Sequence, residues 1–566
     1  KDLQMNYRHI NLDDDWFFCK ARFKTSKGVK SNIQSKMKNI IELRKKAQPT
    51  GSKTGGSTFM NTPNYKAWEL IERAGCRGLQ VGDAMVSEKH CNFIINKKNS
   101  TAEEIEQLGD LKKQPILLMS IYAFSKASNP DSNKKDFEIA VFFFDKLYEI
   151  DKSNLENLYN LAIVSLKAKT FNKVLPHLIE RHKVDSKDEK VLASLAKAYF
   201  WQGKISESIK YSLQLIKVNP NYPKIYENLL ASINYTYDIG QKDYLKYAIE
   251  FDQLNENKLE ELNKKNKSTK SEKIKIGFIS SDFYHHSVSF FLKDLLLKIN
   301  KKEFEVFSFS NLELSKHDNM TNLLKKSFDK WNDIKGLSDR ELLILSKNLD
   351  INIMIDLNGF TVGNRITALK ARCAPLQISW LGYCNTLGIK NMDFLFSDKN
   401  LIKKEEENLY TEEILYLPNI WNSMSPKSNL PDLKKLPSKR HKLFTFGSFN
   451  NFTKISNECI RVWSKIINNS NSQIILKSGS QKSYETDMLL IEKFEEQGVD
   501  KNRIKILDRS FSEDEHLKEY NNIDVALDTF PHPGVTTSFE AIIMGVPVLT
   551  MKGFNFISRC GESINL

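Results

Sequence analysis

Ile274-Lys275-Ile276-Gly277-Phe278-Ile279-Ser280-Ser281-Asp282-Phe283 sets the character of the chain's second half. Its first seven residues form a mostly apolar run that turns polar at Ser280-Ser281-Asp282. That is the pattern of a strand buried on both faces and ending in a loop. Similar runs recur at Phe304 to Phe309, Ile351 to Leu357, Leu376 to Leu381, Leu443 to Phe449, Gln473 to Lys477, Arg503 to Leu507, Val525 to Asp528 and Val546 to Met551. Helical patterns lie between most of them. Buried strands alternating with helices imply parallel sheets covered on both faces. A Pro-, Ser- and Lys-rich break at Ile420 to Lys442 divides the strands into two groups. Two facing Rossmann-like domains are expected, with a ligand cleft at the strand ends.

Upstream, the texture changes. A polar stretch from Asn255 to Lys273 reads as a linker, and before it residues 114 to about 250 are helical and nearly free of glycine. This helical part repeats. Glu149-Ile150-Asp151, Lys183-Val184-Asp185 and Lys217-Val218-Asn219 recur every 34 residues, as do Leu158, Leu192 and Tyr226, and Leu161, Leu195 and Leu229. Small Ala162 and Ala196 sit beside the first two of the last set. A helix-turn-helix unit of 34 residues is the tetratricopeptide signature, and Pro220 falls where a second helix must stop. Residues 1 to about 112 mix a short strand (Trp16 to Phe23), a Lys-rich helix (Ile33 to Lys46) and a Gly-rich turn (Gly51 to Gly56).

Composition narrows the classes. At 566 residues the chain exceeds a single core, and 40% hydrophobic with 11% aromatic residues is ordinary for globular protein. No apolar run approaches a membrane span, and Lys1-Asp2-Leu3-Gln4 opens no signal peptide. The absence of an initial Met points to a fragment. Seven scattered cysteines without a CxxC pair argue for reduced thiols in a cytoplasm rather than disulfides or zinc. The net charge of +14 comes mostly from dispersed lysines. It lacks the clustered stripe with aromatic or Arg readers that nucleic-acid binding needs.

The second half also resembles a known family. Ile276 to Phe283 with His286, Asp356-Leu357-Asn358-Gly359-Phe360-Thr361, Arg372, Ala374-Pro375-Leu376-Gln377, and Trp380-Leu381-Gly382-Tyr383 with Thr386, Gly388 and Met392-Asp393 carry the first part of the resemblance. Phe449-Asn450, Lys454-Ile455, Asp524, Leu527-Asp528-Thr529, Gly534, Thr536-Thr537, Glu540-Ala541 and Met544-Gly545-Val546-Pro547 carry the rest. In this order they resemble the O-linked N-acetylglucosamine transferases, SPINDLY-like members included. The resemblance implies two Rossmann-like domains of the GT-B type, at 273–420 and 440–566, the second incomplete because the chain stops at Leu566. With the other textures the expected fold is multidomain: an α+β domain at 1–112, an all-α tetratricopeptide solenoid at 114–250, a linker at 251–272, then α/β.

Transfer from a nucleotide sugar must stabilise a diphosphate leaving group. No Asp-x-Asp pair that would hold a metal stands at a strand end of the second half, so the expected means are a lysine and N–H groups at a helix N-terminus. The resemblance makes Lys454 the phosphate-contacting lysine, although a lysine met at random is usually a solvated surface residue. Thr536 and Thr537 precede the apolar helix Phe539 to Met544, where they can hold phosphate, cap the helix, or both. By resemblance Glu540 contacts the ribose, and Asn450, Asn451 and His516 line the nucleotide pocket. His286 falls on the acceptor side, as a candidate proton acceptor with His285 as its competitor. No cofactor is implied. The donor is a UDP-sugar and the acceptor a protein presented by the repeats. Asn352, Val535 and Glu519 depart from the pattern of animal relatives, so the donor class is better specified than the sugar.

Residues 1–112 resemble a different family. Tyr7-Arg8, Arg44-Lys45-Lys46 with Gln48-Pro49, Thr54-Gly55-Gly56-Ser57-Thr58-Phe59 with Asn61, Ala67-Trp68, Ala74-Gly75-Cys76-Arg77-Gly78 and Val86-Ser87-Glu88-Lys89-His90 are similar to the C-terminal domain of UDP-N-acetylenolpyruvoylglucosamine reductase, a flavoenzyme of peptidoglycan synthesis. The resemblance makes Ser57 a proton donor to substrate, with Tyr7 and Asn61 in substrate contact. FAD and NADPH belong only to a complete reductase, whose flavin domains precede this one, so a remnant is expected. A reductase and a non-catalytic repeat scaffold stand as the alternatives to a glycosyltransferase.

Overall fold

Strands in the second half run parallel because crossover connections, most of them helical, return the chain to the same end of the sheet each time. The computed structural model describes residues 5–6, 9–10, 24–58, 66–73, 77–109, 123, 126–127, 134–254, 272–425, 430–478, 484–510 and 512–566. They fall into two compact units, Lys1–Ala168 and Lys169–Leu566.

In the first unit, Lys30–Ala47 forms a helix whose residues are exposed. A four-stranded antiparallel sheet follows, in the order Lys53–Ser57, Phe93–Asn96, Ala84–Val86, Gln80–Val81. Gly51 to Gly56 is therefore not a turn throughout. Most of it lies in the Lys53–Ser57 strand, which slips register between Thr54 and Ser57, with Gly56 at φ +99°. That φ suits glycine and not a residue bearing Cβ. The helices Lys134–Ile150 and Leu155–Ala168 complete the unit. The strand expected at Trp16 to Phe23, with Tyr7 and Asn61, lies outside the described residues.

The second unit begins with helices Val174–Val184, Glu189–Trp201, Ile205–Val218, Pro223–Ile233 and Gln241–Asp252. The repeating positions are the ones they bury: Leu192, Leu195 and Leu229 are fully inaccessible, and Ala196 and Tyr226 nearly so. Asp188 caps the Glu189–Trp201 helix by accepting from Val191 N at 3.1 Å. Of the linker expected at 251–272, Phe251 and Asp252 instead end the Gln241–Asp252 helix, with Phe251 buried in it, and residues 255–271 lie outside the described residues.

A seven-stranded parallel sheet is ordered Glu413–Tyr416, Phe394–Ser397, Leu376–Ser379, Ile353–Asp356, Ile274–Ser280, Phe304–Ser310, Lys330–Asp333. A five-stranded parallel sheet is ordered Ile504–Leu507, Ser472–Lys477, Phe444–Ser448, Val525–Leu527, Val548–Leu549. The chain order reverses at the first strand of each sheet. The switch points thus lie between Ile274–Ser280 and Ile353–Asp356, and between Phe444–Ser448 and Val525–Leu527. Loops leaving the carboxyl ends of those strand pairs line the crevice where doubly wound sheets bind ligands. Lys330–Asp333, Phe394–Ser397 and Glu413–Tyr416 are strands that the apolar-run reading did not single out; they are short and carry polar residues at their ends. After the second sheet the chain returns to the first core, where Phe556, Ile557 and Cys560 pack among its buried residues. Among the described residues no helix is long and apolar enough to cross a membrane.

Candidate functional site

Asp528 follows the Val525–Leu527 strand at the second switch point and is almost wholly buried. Its Oδ1 accepts from Gly534 N at 2.6 Å and Thr529 N at 2.9 Å, and its Oδ2 accepts from Thr550 Oγ1 at 2.9 Å. Burial pushes this carboxyl up to about 6, the hydrogen bonds and Lys454 opposing the rise. The loop it organises, Thr529 to Val535, runs into the Thr536–Ile543 helix. Gly534 is the close approach in that loop. A Cβ there would collide with Thr537 Oγ1 and stand 2.8 Å from Asn450 Oδ1.

Lys454 ends a short 3-10 turn, Phe452–Lys454, that leaves the neighbouring Phe444–Ser448 strand. Its Nζ donates to the Pro533 carbonyl at 2.9 Å. Desolvation lowers the lysine below its ordinary value, with Asp528 pulling it back up. Asn450 Oδ1 accepts from Thr537 Oγ1 at 2.9 Å, and its Nδ2 lies 3.5 Å from Asp528 Oδ1. Val535 occupies the N-cap, and its apolar side chain cannot accept from the first N–H groups of the helix. Thr536, at the first helical position, is part-exposed beside them. Lys454, Asn450, Thr537 and the helix N-terminus are thus brought together. Asn451 is not: it is exposed, and its side chain accepts from Thr453 N at 3.2 Å to cap the 3-10 turn.

One turn further along the same helix lies a second group. Glu540 Oε2 stands 3.0 Å from His516 Nε2 and accepts from Tyr520 OH at 3.1 Å. Tyr520 OH also reaches the Thr537 carbonyl at 3.1 Å, and burial beside Glu540 raises its phenol well above the ordinary value. Phe449 packs against Tyr520 with ring centroids 4.7 Å apart. Lys477 Nζ lies 5.8 Å from the Phe449 ring centroid and donates to Ser510 Oγ at 2.5 Å. Asp528, Tyr520 and Lys477 were not singled out as site residues from sequence. The available signal was a charged or polar residue at the end of an apolar strand, as with Leu527-Asp528 and Leu476-Lys477.

The first switch point carries the histidine. Asn358, after Ile353–Asp356, spans to the loop after Ile274–Ser280: its Oδ1 accepts from Ser281 N at 2.8 Å and its Nδ2 donates to Asp282 Oδ2 at 3.0 Å. Burial raises the Asp282 carboxyl, with His286 the main opposing influence. His286 caps the Ser287–Lys298 helix, Nδ1 accepting from Val288 N at 3.4 Å and lying 4.0 Å from Asp282 Oδ2. The neutral ring therefore carries its hydrogen on Nε2. The competitor His285 has its backbone N–H on Asp318 Oδ2 at 2.7 Å and its ring edge-on to Phe290. In the first unit, Ser57 Oγ accepts from buried Asn92 Nδ2 at 2.8 Å.

Comparison with known proteins agrees with both halves. Residues 48–117 match the family model of the UDP-N-acetylenolpyruvoylglucosamine reductase C-terminal domain. The reductase of that name from Rhodopseudomonas palustris is 46% identical over 119 residues, which cover 21% of this chain and 38% of that protein. The probable UDP-N-acetylglucosamine–peptide N-acetylglucosaminyltransferase SPINDLY of Solanum lycopersicum is 29% identical over 294 residues, 51% of this chain and 31% of that protein. Its Arabidopsis thaliana counterpart is 30% identical over 297 residues, 51% and 32% of the two chains. The chain thus spans about a third of the length of these curated relatives. A mutant of the Thermobaculum terrenum O-GlcNAc transferase superposes with a TM-score of 0.68 at 24% identity, over 80% of this chain and 85% of that one, which establishes a shared fold. Residues 249–442 and 432–564 match the model of glycosyl transferase family 41, and with more than half its length so covered the chain belongs to that family.

Proposed function

We propose that the second unit transfers N-acetylglucosamine, or a similar sugar, from a UDP donor to Ser or Thr hydroxyls of a protein acceptor. The observation that carries this reading is the group at the second switch point. Lys454 meets the Thr536–Ile543 helix N-terminus there, with N–H groups that the Val535 side chain cannot cap. A cation and oriented N–H groups on one side of a crevice stabilise a departing diphosphate by hydrogen bonding and charge, without a metal. In this reading Thr536 and Thr537 add hydroxyl donors, Glu540 takes the ribose, and His516, Asn450 and Phe449 enclose the nucleotide. Asn451 contributes only by holding the turn that carries Lys454.

The acceptor oxygen attacks the anomeric carbon, the bond from that carbon to the phosphate oxygen breaks, and UDP leaves with the electron pair. The acceptor proton passes to His286. Taking it at Nδ1 requires only the loss of the long bond from Val288 N–H. The helical repeats present the acceptor.

Incubation of the protein with labelled UDP-sugar and lysate proteins tests the reading. Label should appear in protein, persist in excess chelator, and fall by about 10²–10³-fold in Lys454→Ala. Equal labelling by wild type and Lys454→Ala would sink it. Residues 1–112 are read as a domain like the reductase's C-terminal one, in which Ser57 is held on Asn92. The expected result is no flavin absorbance band in the purified chain and unchanged sugar transfer in Ser57→Ala.

A further inference from the structure

Two consecutive residues of the helical array reach the two Rossmann-like lobes separately. Helix Pro223–Ile233 stops at Asn234, whose buried side chain donates to Tyr383 OH at 3.1 Å and accepts from Asn385 Nδ2 at 2.9 Å. Both partners follow the Leu376–Ser379 strand of the first lobe. Tyr235, the next residue, turns to the second lobe. Its ring lies on the His532 imidazole with centroids 4.4 Å apart and planes at 35°, and the Phe200 ring meets it edge-on at 5.2 Å.

His532 in turn shares an acceptor with the lysine. The Pro533 carbonyl takes Lys454 Nζ at 2.9 Å and stands 3.3 Å from His532 Nδ1. Burial beside the ammonium holds this imidazole well below its ordinary value. It therefore adds no positive charge and acts as a neutral plate between Tyr235 and the carbonyl that seats the lysine. The Thr529–His532 turn is closed by Thr529 Oγ1 donating to the His532 carbonyl at 2.8 Å, so the plate cannot shift without the loop.

We propose that Tyr235 is a positioning residue for sugar transfer. Through His532 it fixes the Pro533 carbonyl, and with it the Lys454 ammonium at the donor diphosphate, so that the second lobe is competent only while the helical array is seated. The inference rests on Lys454 being the leaving-group cation. It needs the tyrosine ring and not its hydroxyl.

The experiment is a kinetic cycle with labelled UDP-sugar on the full chain. Tyr235→Ala is expected to lower kcat about ten- to a hundredfold, as a misplaced catalytic group does, with KM for the sugar nucleotide little changed. Tyr235→Phe should restore kcat to within about twofold, because the stack survives. The double variant Tyr235→Ala with Lys454→Ala should be no slower than Lys454→Ala alone, since a residue acting through the lysine has nothing left to position. His532→Ala, on the other side of the stack, should show the same loss and the same masking, and it serves if Tyr235→Ala does not fold. Wild-type kcat in Tyr235→Ala and His532→Ala overturns the proposal, as does a double variant slower by the full product of the single losses. Those outcomes leave the donor site standing. A wild-type rate in Lys454→Ala itself would instead overturn the donor-site reading, and the coupling with it.

Discussion

Gly534 and Asp528 set the second switch point together. The glycine lets the loop pass against Thr537 and Asn450, and the carboxylate holds that loop by two N–H groups. Gly534→Ala should therefore destabilise the second unit by roughly 1–3 kcal/mol through overpacking, read by denaturant unfolding, and weaken nucleotide binding, read by calorimetry with UDP. Asp528 makes a separable prediction. Because burial raises its carboxyl from 3.8 to about 6, its contribution to stability is complete below pH 3.8 and is lost as pH rises through about 6. Asp528→Asn keeps an oxygen for Gly534 and Thr529 and removes the buried charge. It should melt no lower than wild type at pH 8 while losing the charge that supports the Lys454 ammonium. The acid limb of the activity profile near pH 6 should flatten in this variant; a limb that persists belongs to another group.

At the scale of elements, the Thr536–Ile543 helix is open at its N-terminus because Val535 sits where a Ser or Asp would normally close it. Val535→Asp supplies the cap and a negative charge at the place proposed for phosphate. KM for the sugar nucleotide should rise by about tenfold or more while the melting temperature holds or climbs. A fall in stability with an unchanged KM would place the phosphates elsewhere. The helical array depends on its repeated leucines. Leu195 is fully buried between helices, so Leu195→Ala should cost about 2–5 kcal/mol in a chemical melt.

Across the second unit, polar groups and not only apolar packing tie the array to both lobes. Gln241 donates to Asn385 of the first lobe at 2.6 Å and accepts at 3.1 Å from Asn555, where the chain returns from the second lobe to the first core. Tyr244 OH stands 2.7 Å from Tyr383 OH beside them. Arg559 pairs with Glu406 across the return of the chain to the first core. Gln241→Leu takes the acceptor from the Asn555 amide, while Asn385 Oδ1 keeps the Thr386 N–H at 2.9 Å, and should destabilise by about 1–3 kcal/mol, with heat unfolding of the unit as the measure.

Much of this was legible in the chain. Strand runs such as Ile274–Ser280 were recognisable because a strand covered on both faces must be apolar throughout, and the period of 34 residues because each repeat buries the same positions. Lys454, Thr536, Thr537 and Glu540 were identified by resemblance and lie where a switch point gathers loops. What the sequence could not supply was pairing across distance. Nothing local indicates that Asp528 holds Gly534, that Asn451 spends its side chain on a turn, that Gly51 to Gly56 enters a bulged strand, or that Tyr235 meets His532. The sequence by itself determined the element types, the repeat and the family, because those follow from periodicity and ordered local motifs. Only the tertiary structure decided which polar groups share a proton, a carbonyl or a ring face, because contacts such as Tyr235 on His532 or Lys454 on Pro533 join residues tens to hundreds of positions apart, and even the short-range ones depend on how the loops at the strand ends are set.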